Sequence, residues 1–220
     1  MSYQVAIDGP AGAGKSTIAK IVAAKKSFIY VDTGAMYRAM AVYMVRNNVD
    51  PSNEDEVSAR AEKADISLEY VDGIQHVFLN GEDVTGQLRT EETGNMASVV
   101  SKYTAVRTRL VDIQKNIASK TNVVMDGRDI GTVVLPDADV KVYLTASSAV
   151  RAKRRYDELV AKGEKPDINK IEEDIIARDR QDMTREISPL KKADDAVEID
   201  SSYMTIEEVA DKILSLCGEK

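Results

Sequence analysis

Cysteine and histidine each occur only once in the 220 residues. Cys217 alone cannot close an internal disulfide, so no disulfide framework supports the fold, and a reducing compartment suits the chain. It lies in an amphipathic segment with Ile206, Val209, Ala210, Ile213 and Leu214, where a free thiol is expected to pack as a small hydrophobe. The single His76 excludes a multi-histidine metal site; its alternating segment predicts a surface strand position. No apolar run is long enough to span a bilayer. Met1 to Gln4 lead straight into an apolar run without a charged, apolar leader, so a cytoplasmic location is expected. A positive surplus is absent too. The net charge of −7 argues against nucleic acid as a partner. Nothing suggests a large exposed apolar face, so a monomer is expected.

What is present is ordinary globular material: 43% hydrophobic and 30% charged residues, enough for one sizeable core with a small inserted subdomain. Val5-Ala6-Ile7-Asp8 reads as a buried strand, and Ile18, Ile21 and Val22 follow at helical spacing. Between them Gly9-Pro10-Ala11-Gly12-Ala13-Gly14-Lys15-Ser16 satisfies GxxxxGK[ST], followed by Thr17. Successive backbone N–H groups in such a turn form an anion nest, and the helix N-terminus adds partial positive charge. Lys15 is placed to reach the β- and γ-phosphates of a nucleoside triphosphate, and the Ser16 hydroxyl to ligate Mg²⁺.

Further strands are expected at Phe28–Val31, Asn122–Asp126, Val140–Leu144 and Ala196–Ile199. Helices are expected near Ala35–Arg46, Glu54–Lys63, Glu91–Lys102, Thr104–Ser119, Ser147–Lys162, Asn169–Arg185 and Ile206–Cys217. The second of the middle pair carries Val106, Leu110, Ile113 and Ile117 as a buried stripe. Ile66–Val84 differs in character. It alternates, turns at Asp72-Gly73 and again at Asn80-Gly81, and predicts a small antiparallel meander. The expected fold is a doubly wound α/β domain with one β insertion.

Ligands of open α/β sheets bind beyond the carboxyl ends of the strands. Asp8-Gly9, Asp32-Thr33-Gly34 and Asp126-Gly127-Arg128-Asp129 all lie at such ends, so three polar corners are expected to converge on one crevice. Arg178, Asp182 and Arg185 are spaced to share one helix face, and Arg151, Arg154 and Arg155 form a second patch. Gly163–Asp167, polar and helix-breaking, connects the two helices and predicts a mobile lid that supplies cations and excludes water. Lys15, Arg128 and the lid arginines are then an electrostatic clamp for a transferring phosphoryl group.

IDGPAGAGKST at 7–17, VDTGAMYRA at 31–39, DGRDIGTVVLPDAD at 126–139 and ISPLKKADDAV at 187–197 closely resemble the bacterial cytidylate kinases, a branch of the nucleoside monophosphate kinases. The resemblance covers nearly the whole chain. It implies a P-loop-type parallel sheet flanked by helices, with the β insertion enlarging the monophosphate-binding region. It implies one kinase domain: a core of about 1–50, 104–150 and 190–220, a monophosphate-binding insertion of about 54–102 and a lid of about 151–186. The implied reaction, in pyrimidine nucleotide metabolism, is ATP plus CMP or dCMP giving ADP plus CDP or dCDP, with Mg²⁺. Carried onto this chain, the family's roles put Arg38, Arg128 and Arg185 on the acceptor phosphate and Ser98, Arg107 and Asp129 around the cytosine. Asp32, Thr33, Arg178 and Asp182 fall near the rest of the acceptor, and Arg154 and Arg155 fall in the lid. Another small-molecule kinase on the same fold is the nearest competing reading. A GTP-binding switch is disfavoured because Asn169-Lys170-Ile171-Glu172 only approximates an NKxD base reader.

Overall fold

The computed structural model describes residues 2–71 and 73–218. In chain order its elements are β1 (Gln4–Asp8), α1 (Lys15–Lys26), β2 (Ile29–Asp32), α2 (Thr33–Arg46), α3 (Glu54–Ala61), β3 (Ile66–Val71), β4 (Ile74–Leu79), β5 (Glu82–Asp83), α4 (Glu91–Val100), α5 (Thr104–Lys120), β6 (Val123–Gly127), β7 (Val140–Thr145), α6 (Ser148–Ala161), α7 (Ile168–Thr184), β8 (Val197–Asp200) and α8 (Ile206–Leu216). They divide into two compact units, one of Met1–Ser2 with Ile29–Thr121 and one of Tyr3–Phe28 with Asn122–Lys220.

In the second unit β1 lies parallel between β6 and β7, and β8 extends the sheet beyond β7. Val5, Ala6, Ile7, Val123, Val124, Met125, Val142 and Leu144 are almost wholly buried. Burial on both faces is why these strands read as continuous apolar runs instead of alternating ones. The pairing also aligns strand ends: Ile7 lies opposite Asp126 and Asp8 opposite Gly127. The polar residues that follow both strands therefore emerge together. At the far end Thr205 and Glu208 close a reciprocal capping box on α8, and Cys217 is buried as its C-cap.

The first unit has its own core, in which Met36, Met40 and Met44 of α2 meet Val57, Leu79, Val106 and Leu110. β3, β4 and β5 form the antiparallel meander, with Ile66 opposite Leu79 and Phe78 opposite Asp83. Asn80 and Gly81 both take positive φ, 51° and 82°, as a tight hairpin turn requires. The expected Asp72-Gly73 turn lies partly outside the described residues, because Asp72 is not among them; Gly73 has a φ of 76°.

The expected α/β class is the one found, a mostly parallel sheet with a small antiparallel sheet. The differences are at element ends. α2 starts at Thr33 instead of Ala35 because the Asp32 carboxylate caps it, accepting from the Ala35 N–H. α7 stops at Thr184, leaving Arg185 as its C-cap. Ile130–Val134, to which the sequence assigned no element, forms a π-helical turn directly after Asp129. On α5, Val106 and Leu110 are fully buried, while Ile113 and Ile117 are only half-buried. His76 is half-buried on β4 and pairs with Asp83 at 2.8 Å.

Candidate active site

The glycine-rich loop follows β1 and ends on the first turn of α1, as expected. Gly9 has a φ of 149°, and a Cβ there would lie 1.9 Å from the Leu144 carbonyl oxygen, so only glycine fits. Gly14 caps α1 in the left-handed conformation with φ 89°. Lys15 is buried, and its Nζ donates back across the loop to the Pro10 carbonyl at 2.7 Å. Burial, and then the charge of Arg128, pull its pKa down to about 7 against the opposing pull of Asp126, Asp8 and Asp182. The Ser16 hydroxyl donates to Asp126 Oδ2 at 2.9 Å. The loop lysine and hydroxyl thus sit with the acidic end of β6.

Arg128 follows β6, and its Nε donates to Asp182 Oδ2 of α7 at 2.9 Å. Arg185 Nη1 lies 3.6 Å from Asp182 Oδ1, and Arg185 Nε donates to the Ser188 carbonyl at 2.6 Å. Burial works to raise the pKa of Asp182, but Arg128, Arg185 and Arg178 outweigh it and hold the carboxyl below its usual range. The expected helix-face trio does gather on Asp182, where the charges of Arg185 and Arg178 both act, with a correction only at the helix end. Asp182 is hydrogen-bonded to Arg128 from another element, and Arg185 has left the helix. Arg178 is exposed and supplies only part of the surrounding charge. Asp129, next in the chain after Arg128, is buried.

The second arginine patch is corrected more sharply. Arg151 is buried: its Nε donates to the Ala146 carbonyl at 2.8 Å, Nη1 to the Ala11 carbonyl at 3.0 Å, and Nη2 to Asp179 at 2.6 Å. It ties the glycine-rich loop to α6 and α7. Arg154 donates to the Ser201 carbonyl at 2.8 Å, whereas Arg155 is exposed and pairs with Glu158 at 2.9 Å. Three arginines spaced to share one helix face therefore take three environments, because Arg151 packs on the loop, Arg154 reaches Ser201 and Arg155 stays exposed.

The remaining sequence-selected residues lie in the first unit. Asp32, besides capping α2, pairs with Arg38 at 3.1 Å. Arg38 Nε is buried and without a hydrogen-bond partner among the described residues. Gln75 of β4 holds this corner, accepting from the Asp32 N–H at 2.9 Å. Thr33 is buried at the first turn of α2. Arg107 is buried on α5, donates to the Ser101 carbonyl at 3.0 Å and lies 5.4 Å from the centre of the Tyr37 ring. Ser98 is half-buried near the end of α4, and its carbonyl accepts from the Ser101 hydroxyl at 2.9 Å.

A family model described as cytidylate kinase matches residues 5–219. The chain belongs to the cytidylate kinase family. The cytidylate kinase of Bacillus subtilis (strain 168) is 51% identical over 216 residues, 98% of this chain and 96% of that protein. The cytidylate kinase of Lactobacillus johnsonii is 50% identical over 217 residues, 99% of this chain and 94% of that protein. An uncharacterized protein from Eubacterium ventriosum shares the fold at a TM-score of 0.54 and 14% identity, covering 99% of this chain and 98% of its own. Membership makes this cytidylate kinase relative a kinase and a nucleotide-binding transferase.

Three contributors escaped the sequence reading. Asp126 as the partner of Ser16, Asp8 as a hydrogen-bond acceptor and Gln75 as the support of Asp32 have no local sequence signal. Among the described residues no group of three His, Cys, Asp or Glu side chains is arranged to hold a metal ion, and no helix is long and apolar enough to cross a membrane.

Proposed function

We propose that this chain transfers the γ-phosphoryl group of ATP to CMP or dCMP, giving ADP and CDP or dCDP. The observation that carries the reading is the meeting of Lys15 and Ser16 of the glycine-rich loop with Asp126 and Arg128 at the end of β6. Transfer breaks the bond between the γ-phosphorus and the oxygen bridging it to the β-phosphorus, and forms one to an oxygen of the acceptor phosphate. Catalysis of this step is largely positioning and charge neutralisation. Gly9 to Thr17 hold the donor phosphates, whose negative charge favours the protonated form of Lys15. Arg128 and Arg185, oriented by Asp182, hold the acceptor phosphate together with Arg38. Asp129 accepts from the cytosine amine, a pairing suited to a carboxylate, while Ser98 and Arg107 contact the ring. Asp32, Thr33 and Arg178 border the sugar. Arg154 and Arg155 belong to a lid of about residues 151–186, beside a core of about 1–50, 104–150 and 190–220 and an insertion of about 54–102.

The donor set fits Mg²⁺, which uses few protein oxygens and completes its shell with water and phosphate oxygens. Ser16 and Asp126 are the residues to hold it, directly or through water. When bound with ATP it neutralises charge on the β- and γ-phosphates. The same reading places the enzyme in the cytoplasm as a monomer acting on small nucleotides, with neither nucleic acid nor membrane as partner. A coupled kinase assay with CMP, dCMP, UMP and AMP tests it. Fastest turnover with CMP or dCMP is expected, and preference for AMP contradicts the assignment. Transfer is direct, so no labelled γ-phosphate is expected to remain covalently on the protein during turnover.

A further inference from the structure

The carboxylate at the end of β1 is not used by the reaction as described, yet it is one of the most specifically bonded groups in the second unit. Asp8 is buried at 5% exposure. Its Oδ1 accepts from the Ile130 N–H at 2.8 Å and its Oδ2 from the Gly131 N–H at 2.7 Å. Those two N–H groups belong to the first residues of the π-helical turn, which have no partners within the turn's own ladder. A single ionised carboxylate supplies both acceptors, and hydrogen bonds to a charged acceptor are about twice as strong as neutral ones.

The consequence lies one and two residues upstream. Asp129 is the N-cap of the turn, with φ −145° and ψ 25°, and Arg128 stands between it and the end of β6. Pinning residues 130 and 131 fixes the backbone that aims both side chains. The fit is close. A Cβ on Gly131 would lie 3.4 Å from Asp8 Oδ2 and 3.3 Å from Lys141 Cδ. Lys141 is itself held by the Pro136 carbonyl and by Asp195 at 2.7 Å. The turn is thus bounded by groups with little room to give.

We propose that Asp8 is a positioning residue for acceptor recognition: by binding the Ile130 and Gly131 N–H groups it sets the register of Asp129 against the acceptor base. This rests on the reading of Asp129 as the cytosine contact. Asp8 also directly precedes Gly9, so one side chain links the donor loop to the turn that presents the acceptor contacts. An effect on acceptor choice, not on donor binding, marks this role off from a merely structural one.

The test compares Asp8→Asn with Asp129→Ala, measuring KM for CMP, KM for ATP, and the ratio of kcat/KM for CMP over UMP, with thermal unfolding to establish that each variant is folded. Asn keeps the size but sets an amide N–H₂ against one of the two N–H donors. Asp8→Asn is expected to raise KM for CMP roughly tenfold, the scale of one lost hydrogen bond to a charged group. It is also expected to erode the CMP-over-UMP ratio while leaving KM for ATP within about twofold. If Asp129→Ala erodes that ratio and Asp8→Asn does not, the positioning role is overturned and the reading of Asp129 survives. If neither variant changes the ratio, the reading of Asp129 fails and the inference falls with it. An equal rise in both KM values shows Asp8 to be a prop of the donor loop and overturns the proposal. Should Asp8→Asn not fold, Gly131→Ala carries the test by crowding the same carboxylate; a folded Gly131→Ala with unchanged discrimination overturns the proposal.

Discussion

Arg128 and Asp182 are 54 residues apart in the chain and joined by a 2.9 Å hydrogen bond from Nε to Oδ2. This bond ties the end of β6 to α7, and Arg185 approaches the other oxygen of the same carboxylate. Removing the carboxylate leaves arginines facing one another in a half-buried setting. Asp182→Ala is expected to destabilise the protein by about 3 kcal/mol, as breaking one side of a buried pair does, and to cut kcat/KM by more than tenfold. Asp182→Asn keeps the size and is expected to lose less stability but comparable activity. Denaturant unfolding and steady-state rates separate the two effects. The folded pKa of Asp182 is depressed, so its contribution is complete above the ordinary carboxylate range and is lost as pH falls through the folded value.

The arginines of α6 are expected to respond unequally. Arg151→Ala removes the guanidinium paired with Asp179, whose Oδ1 is already buried without a hydrogen-bond partner among the described residues. A loss of about 3–5 kcal/mol is expected in chemical unfolding. Arg155→Ala removes an exposed pair and is expected to cost under about 1 kcal/mol. A turnover defect in Arg155→Ala with unchanged stability supports its place in the lid.

Ser16 and Asp126 are expected to share one dependence. Chelating Mg²⁺ abolishes turnover, and Asp126→Asn or Ser16→Ala raises the Mg²⁺ concentration needed for half-maximal rate by roughly tenfold. Titrating Mg²⁺ at fixed ATP checks this. An unchanged requirement in both variants removes these residues from the metal site.

Asp8 runs opposite to Asp182 with pH. Burial raises its pKa from 3.8 to about 6, against the two backbone N–H groups that favour the ionised form. A raised folded pKa contributes stability below the unfolded value that is lost as pH rises through the folded one. The stability of the parent protein minus that of Asp8→Asn is therefore expected to fall between about pH 4 and pH 7, by about 3 kcal/mol at most. Urea unfolding of both proteins across that range is the measurement. A difference independent of pH contradicts it. At neutral pH the ionised carboxylate is held at a cost in stability, as groups that organise functional sites often are.

Local physics was readable in the chain. The GxxxxGK[ST] loop, the alternation of Ile66–Val71 and the turn at Asn80-Gly81 depend on neighbours a few residues away, and each is found where expected. Arg151, Arg154 and Arg155 looked alike because spacing identifies a helix face but not what packs on it. Asp8 to Ile130, at 122 residues apart, and Asp32 to Gln75, at 43, were illegible because only the folded sheet and meander bring them together. The start of α2 was missed for a smaller reason. Asp32 caps the helix as well as ending the strand, and a strand-end reading conceals the cap.

The most direct test is to incubate the protein with ATP and Mg²⁺, with and without CMP, and to quantify ADP, CDP and inorganic phosphate together. With CMP, ADP and CDP are expected in equal amounts with almost no free phosphate; without it, ADP formation is expected to be slight. ADP and phosphate released at the same rate whether or not CMP is present, with no CDP, would contradict phosphoryl transfer to the nucleotide.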